Sequence, residues 1–245
     1  MHTDNVGSPR AAFEYHPTAN QTYYLSYGTS FDPSAEALSL TTKTANLGPE
    51  KAKSYEVGAK DQVGAGLLLS AALFHTEVDN AQTNDPENPT ITLLNGDQRV
   101  EGLELQATGH ITRQWELFAG YSLLDSETLS SGTAAYVGKE MPNVAHNALN
   151  LWTEYELPFG LEAGGGLNWV GRRYADSGET ASLPGYVVWN AMVSYRITPD
   201  ISLQLNGLNL FDRYYYSGVY YTSAAENHVI PGAGRSATLS INVKL

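Results

Sequence analysis

From Ala237 to Leu245 every second residue is apolar: Ala237, Leu239, Ile241, Val243 and Leu245 on one side, Thr238, Ser240, Asn242 and Lys244 on the other. A side-chain period of two belongs to a β-strand, whose successive residues point to opposite faces. A helix would mix the two sets around its circumference. The run Val187, Trp189, Ala191, Val193, Tyr195 and Ile197 repeats the pattern against Asn190, Ser194 and Arg196, and the chain then turns at Thr198-Pro199-Asp200. A long irregular excursion separates the two runs. Strands that are apolar on one face and polar on the other suit a barrel in a membrane, with lipid outside and water inside.

Composition supports a membrane strand protein over a soluble one. Only 16% of the 245 residues are charged, against about a quarter in soluble domains. The 16 tyrosines and 23 glycines suit aromatic belts at the membrane interfaces and tight turns between strands. No run of 18 apolar residues is present, so no membrane helix is expected. A β-barrel needs none, because only alternate residues face lipid, and mean hydropathy can stay negative at -0.28. The formal charge of -12 would repel nucleic-acid phosphates and argues against that partner. With no cysteine, thiolate metal sites and CxxC redox chemistry are excluded as well. The opening Met1-His2-Thr3-Asp4 is polar, and no apolar signal-peptide stretch follows it.

In chain order, strands are expected around Ala11 to Tyr15, Tyr23 to Phe31, Tyr55 to Lys60, Leu67 to Leu73, Leu103 to Ile111, Trp115 to Leu123, Leu149 to Leu157 and Leu161 to Trp169. The fourth is ambiguous, because Leu68, Ala72 and Phe74 make its second face apolar and periodicity alone leaves a buried helix open. Glu56, Lys60, Glu104, Glu154, Glu156 and Glu162 fall on the polar faces and would line a lumen. With the terminal runs the count is roughly eleven strands. Links alternate short and long, with long loops near residues 32–53, 80–98, 125–142, 175–184 and 215–234. That alternation is the habit of outer-membrane barrels. A soluble β-sandwich has no reason to gather its long loops at one end.

Several segments, taken in order, resemble the C-terminal barrel region of TonB-dependent ferric-siderophore receptors, most closely the catecholate-type branch. They are Tyr27-Gly28-Thr29-Ser30-Phe31, Leu47-Gly48-Pro49-Glu50-Lys51, Ser54-Tyr55-Glu56-Val57-Gly58-Ala59-Lys60 and Arg99-Val100-Glu101-Gly102-Leu103-Glu104-Leu105. Pro142-Asn143-Val144-Ala145-His146, Leu151-Trp152-Thr153, Asn209-Leu210-Phe211-Asp212-Arg213-Tyr214-Tyr215 and Gly234-Arg235-Ser236 carry the likeness to the end of the chain. The resemblance implies an all-β, antiparallel transmembrane β-barrel of about 11 strands over residues 1–245, roughly half of a barrel of about 22 strands. It also implies outer-membrane uptake of ferric siderophore. The partners implied are outer-membrane lipid, the barrel assembly machinery and the TonB energy-coupling complex, the last acting through a plug domain. No plug-like segment is recognisable, and the chain ends in Leu245 where the family usually has an aromatic residue. The expectation is therefore a fragment, with a signal peptide, plug and further strands encoded upstream of Met1.

Catalytic motifs are not found: there is no GxSxG, no HExxH, no phosphate-binding glycine loop and no calcium-loop spacing. The chain is not expected to be an enzyme or to hold a cofactor. His146-Asn147 reads as a strand entrance, and the acidic stretch Asp79 to Asn88 as a solvated loop, with a hard cation as the alternative. Two clusters are candidates for ligand contact. Arg172, Arg173 and Tyr174 close a strand where it meets a long loop, while Tyr220, Tyr221 and His228 lie in the last excursion. Ferric catecholate complexes are anionic and aromatic, so arginine and tyrosine at the mouth would offer charge and stacking surfaces. An interface belt of tyrosines is the structural alternative. Other cargo for the same wall would be haem, cobalamin or a glycan. A passive porin or adhesin barrel and a soluble β-sandwich binding module are the rival classes. The loop assignment predicts that, in the complete receptor on intact cells, an impermeant thiol reagent labels Ala134→Cys and not Pro199→Cys. Equal labelling would contradict the orientation.

Overall fold

The computed structural model describes residues 6–32, 49–84, 92–222 and 227–244. Its strands are β1 (Arg10–Thr18), β2 (Gln21–Asp32), β3 (Glu50–Val63), β4 (Leu67–Asn84), β5 (Thr92–His110), β6 (Trp115–Ser130), β7 (Asn147–Glu156) and β8 (Leu161–Val170). After these come β9 (Arg173–Tyr174), β10 (Ser182–Leu183), β11 (Tyr186–Thr198), β12 (Ile201–Leu208), β13 (Tyr216–Thr222), β14 (Asn227–Pro231) and β15 (Ser236–Val243). Eleven of them form one antiparallel sheet in the order β1-β2-β3-β4-β5-β6-β7-β8-β11-β12-β15. The pairs β9–β10 and β13–β14 are separate two-stranded hairpins in the long connections.

Register shows how the two faces are built. Phe13 lies opposite Leu25, Leu25 opposite Val57, Val57 opposite Leu73, Leu73 opposite Leu103 and Leu103 opposite Leu123. An unbroken apolar row therefore crosses six strands. At the other end Val193 meets Leu205 and Leu205 meets Leu239. These side chains are not buried by protein: Phe13 is 69% exposed, Leu25 57%, Leu239 67% and Ile241 66%. Burying such a row against lipid stabilises the sheet by about 25 cal/mol per Å² of apolar surface removed from water. Among the described residues no second sheet packs against the row, so a β-sandwich core is not what orders them. The alternate residues, among them Glu56, Lys60, Glu104, Glu154, Glu156 and Glu162, fall on the opposite, inward face, as the sequence pattern requires.

The expected fourth strand is present as β4, and the helix alternative falls because both its neighbours are strands and its inward Leu68, Ala72 and Phe74 face a lumen wall instead of a helix partner. Two differences from the sequence reading have physical causes. The strand β12 lies in the stretch that reads as an irregular excursion, although Ile201, Leu203 and Leu205 do alternate with Ser202, Gln204 and Asn206. Finally, β4, β5 and β6 reach 18, 19 and 16 residues, where about 9–11 cross a bilayer. Residues 80–84, 92–98 and 125–130, read as parts of loops, are therefore strand standing beyond the membrane.

Above the level of the Tyr27–Tyr55 ring pair, whose centroids are 5.0 Å apart, the outward face turns ionic. Lys53 Nζ lies 2.7 Å from the Asp79 carboxylate, and Arg99 Nη2 lies 2.6 Å from that of Glu127. His75 sits between Glu101 at 3.0 Å and Glu77 at 3.3 Å. Exposed pairs of this kind add little stability singly, yet together they keep the wall wet where it leaves lipid. The stretch Asp85 to Asn88 lies outside the described residues; among those described, no cluster of three metal-ligating side chains occurs.

The facing assignment gives a contrast between neighbours on β15. Leu239→Arg places a guanidinium in lipid at a cost of about 2–4 kcal/mol near mid-bilayer, while Thr238→Arg enters the wet lumen. Assembly in the complete receptor, read as heat-modifiable mobility of outer-membrane protein, should fall for Leu239→Arg and hold for Thr238→Arg. Equal assembly of the two would contradict the facing.

Candidate functional site at the loop end of the barrel

All the short links (Thr18 to Gln21, Val63 to Leu67, His110 to Trp115, Glu156 to Leu161 and Thr198 to Ile201) lie at one end of the sheet, and the long connections at the other. Three of the long connections fold together. The β6–β7 connection turns back along its own strand: Thr128 N–H donates to the Lys139 carbonyl at 2.8 Å, Gly138 N–H to that of Thr128 at 2.9 Å, and Met141 N–H to Ser126 Oγ at 3.1 Å. The β8–β11 connection is shaped by Asp176. Its Oδ1 accepts from Gly178 and Thr180 N–H, and its Oδ2 from Ala181 N–H at 2.7 Å and the Thr180 hydroxyl. Burial pushes the Asp176 carboxyl up, but these donors outweigh it and hold the group below the usual carboxylate range. The β12–β15 connection is knotted at Asn209, where a side-chain amide at a backbone φ of 47° donates to the carbonyls of Arg213 and Ala233 and accepts from Arg213 N–H.

Asn143 joins the three. Its backbone N–H donates to the Tyr174 carbonyl at 2.9 Å, its Nδ2 donates to the Val219 carbonyl at 2.7 Å, and its Oδ1 accepts from Val219 N–H at 3.0 Å. Beside it Ala175, Leu183 and Val219 form a small apolar core, with Ala181, Tyr216 and Val229 packed on it. Ionic contacts brace the rim: Lys139 Nζ reaches Glu179 at 2.9 Å, and His146 donates from Nδ1 to the Leu124 carbonyl at 2.8 Å while its Nε2 lies 3.2 Å from Glu140. The Leu124 carbonyl and then the Glu140 carboxylate hold the His146 pKa above its ordinary value.

The residues singled out in the sequence are thereby placed. Arg172 is exposed and stacks 4.5 Å over the Tyr174 ring, its Nη2 donating to the Tyr174 hydroxyl at 3.2 Å. Arg173 is only 3% exposed. Its Nη2 donates to the Tyr216 carbonyl at 3.0 Å and its guanidinium lies 5.9 Å from the Tyr186 ring, while Nη1 is buried without a partner among the described residues. Arg173 thus ties the β9–β10 hairpin to the β13–β14 hairpin. Tyr221 pairs with His228 across that second hairpin, and His228 is half-buried. The side chains of Tyr220 and Tyr221 lie outside the described residues. Asn143, Asp176 and Asn209 were not singled out as site residues, although Asn143 and Asn209 stand inside segments that carry the family likeness.

A sheet of membrane-crossing strands with its long connections clasped at one end is the geometry against which known proteins can be compared. A family model described as "TonB dependent receptor-like, beta-barrel" matches residues 1–210. The chain belongs to this family. It is 33% identical to the probable TonB-dependent siderophore receptor PiuA of Acinetobacter baumannii, over 96% of this chain and 33% of that protein. It is 31% identical to the catecholate siderophore receptor Fiu of Escherichia coli K12, over 98% of this chain and 33% of that protein. To the metal-pseudopaline receptor CntO of Pseudomonas aeruginosa PAO1 it is 30% identical, over 98% of this chain and 34% of that protein. The crystal structure of PiuA superposes with a TM-score of 0.83 over 96% of this chain and 35% of that one. The ferric yersiniabactin receptor FyuA of Yersinia pestis, at 20% identity, superposes at 0.82 over 96% of this chain and 36% of that one and shares the fold. This TonB-dependent receptor chain thus spans about a third of the length of the curated relatives it matches. It is part of an outer-membrane β-barrel, and its relatives are transport receptors.

Two outcomes follow from the clasp. Asn143→Ala removes two side-chain hydrogen bonds, each worth about 0.5–1.5 kcal/mol net, so the loop segments 131–146 and 216–222 should become protease-sensitive on intact cells while the barrel stays assembled. Unchanged protection would show that the clasp does not depend on Asn143. Because the folded His146 pKa is raised, its contribution is complete below about pH 6.5 and is lost as pH rises through the folded value. Loop proteolysis in the Glu140 and His146 region should therefore increase across that window, and His146→Leu should abolish the pH dependence.

Proposed function

We propose that this chain supplies the C-terminal wall and outer loops of an outer-membrane receptor that imports ferric siderophore. The observation that carries the reading is the family match over residues 1–210, together with relatives named as siderophore, catecholate siderophore and metal-pseudopaline receptors. What those names share is a metal held by a small organic chelator. The remaining strands, which would complete the edges at β1 and β15, and a plug that meets the TonB energy-coupling complex would come from the rest of the receptor. Its barrel would be inserted by the assembly machinery that serves such barrels. Ligand capture falls to the loop end. There Arg172 and Tyr174 form a stacked cation and ring, and the hairpin of Tyr220, Tyr221 and His228 is joined to them through Arg173 and Asn143. A guanidinium over an aromatic ring offers an anionic, aromatic chelate one charge-assisted contact and one stacking face.

The test is uptake of radio-iron-labelled ferric catecholate by cells whose other iron receptors are deleted. Cells carrying the complete receptor should accumulate iron, and removal of TonB should stop accumulation while surface binding persists. Accumulation that continues without TonB would contradict the reading and favour a passive pore. Within the loop end, Arg172→Ala should weaken binding about tenfold, the loss of one hydrogen bond to a charged group. Unaltered affinity would remove Arg172 from the ligand surface.

A further inference from the structure

We propose that a hollow on the lipid side of the wall, between Trp169, Trp189, Phe211 and Arg213, seats the phosphate-bearing headgroup of an outer-leaflet glycolipid, lipid A. The hollow, of about 730 Å³, lies where β8 ends, β11 begins and the chain has left β12. Its floor belongs to the lipid face. Trp169 lies opposite Leu149 and Val187, and Trp189 opposite Leu167, so both indoles continue the outward apolar rows. The outward apolar set of β11 runs from Val187 to Ile197, matching the roughly 9–11 residues that cross a bilayer, so Val187 and Trp189 stand at its loop-end limit. Tryptophan is favoured at that level, with its ring among lipid headgroups. The loop end of such barrels faces the outer leaflet. This inference goes beyond chelate import and does not rest on it.

Charge closes the upper side. Arg213 and Arg172 line the hollow, and among the described residues no carboxylate does. Arg213 is exposed; its backbone groups are bonded to Asn209, but among the described residues its guanidinium has no partner. The neighbouring carboxylate, Asp212, is engaged elsewhere, its Oδ1 accepting from Arg235 N–H at 2.9 Å. The rim on β3 to β6 differs, because its outward cations pair within the wall, Lys53 with Asp79 and Arg99 with Glu127. That part satisfies its own charge, whereas this part leaves a cation above two indoles. The turn is also fixed before any ligand arrives. Leu210 N–H donates to the Trp189 carbonyl at 2.9 Å, Asp212 N–H to that of Asn209 at 2.8 Å, and Arg213 N–H to Asn209 Oδ1 at 2.8 Å. Phe211 is thereby held 75% exposed beside the indoles, where hydrocarbon would cover it and water would not favour it. A free phosphate would satisfy Arg213 alone. An occupant with phosphate for Arg213 and acyl chains for Phe211, Trp169 and Trp189 is a lipid, and lipid A carries both on one sugar core.

The test is retention of purified lipid A by the complete receptor in detergent, read by native mass spectrometry, with heat-modifiable mobility as the folding check. The parent should bind diphosphorylated lipid A. Arg213→Gln should weaken that binding about tenfold, the loss of one hydrogen bond to a charged group, and Arg213→Lys should keep most of it. Arg113→Gln, in the short turn at the other end of the sheet, should bind as the parent does. Arg172 is left intact because it also stands at the mouth, and ferric-catecholate binding by Arg213→Gln should equal the parent's. Equal retention by Arg213→Gln and the parent, or no retention by the parent, would overturn the proposal. So would equal binding of dephosphorylated lipid A, which would reduce the hollow to an acyl-chain contact. Displacement of lipid A by inorganic phosphate at equal concentration would make it a site for free anions and contradict the lipid assignment. Loss of ferric-catecholate binding in step with lipid A would move Arg213 to the chelate surface and contradict it as well.

Discussion

A backbone amide in lipid has no water to bond to, and leaving one unpaired costs several kcal/mol. That constraint organises everything here. Eleven strands satisfy one another by antiparallel ladders, and their side chains are then free to sort by face alone: apolar toward lipid, polar toward the lumen. Among the described residues there are consequently few buried apolar side chains and no packed interior of the soluble kind. What would be a defect in a soluble protein, a row of exposed Phe, Leu, Val and Ile, is the surface through which this one is held.

The same constraint explains what was legible in the sequence. Where a strand crosses lipid, one face must be apolar at every second residue, so β11 and β15 can be read directly from Val187 to Ile197 and from Ala237 to Val243. The rule lapses beyond the bilayer. The upper halves of β4, β5 and β6 carry Lys53-paired Asp79, Arg99 and Glu127 on the outward face, and no alternation of apolar with polar marks them as strand. For β12 the alternation is present but short, and the neighbouring turn and excursion obscure it. The ambiguity of β4 came from an inward face with Leu68, Ala72 and Phe74, which a lumen tolerates and a periodicity argument cannot separate from a buried helix.

The loop end was legible only as composition. Arginine and tyrosine at the mouth could be seen, but not that Arg173 would be taken inside to hold Tyr216 while Arg172 stays out on Tyr174. Adjacent residues with the same side chain were given opposite tasks by a hairpin of two-residue strands. Asn143 meets Val219 across 76 positions of sequence, a pairing set by the closure of the whole sheet and by no local pattern. Asn209 likewise acts through a backbone turn at positive φ, which asparagine tolerates better than most residues.

The central claim is that this sheet stands in a membrane with its apolar rows in lipid. It is tested most directly by placing single spin labels at each position from Val187 to Ile197 in the complete receptor in bilayers and measuring oxygen and aqueous-reagent accessibility. A strict period of two is predicted, with oxygen favoured at Val187, Trp189, Ala191, Val193 and Tyr195 and the aqueous reagent favoured at Asn190, Ser194 and Arg196. Accessibility that varied smoothly along the segment, or that followed a period near 3.6, would contradict the account.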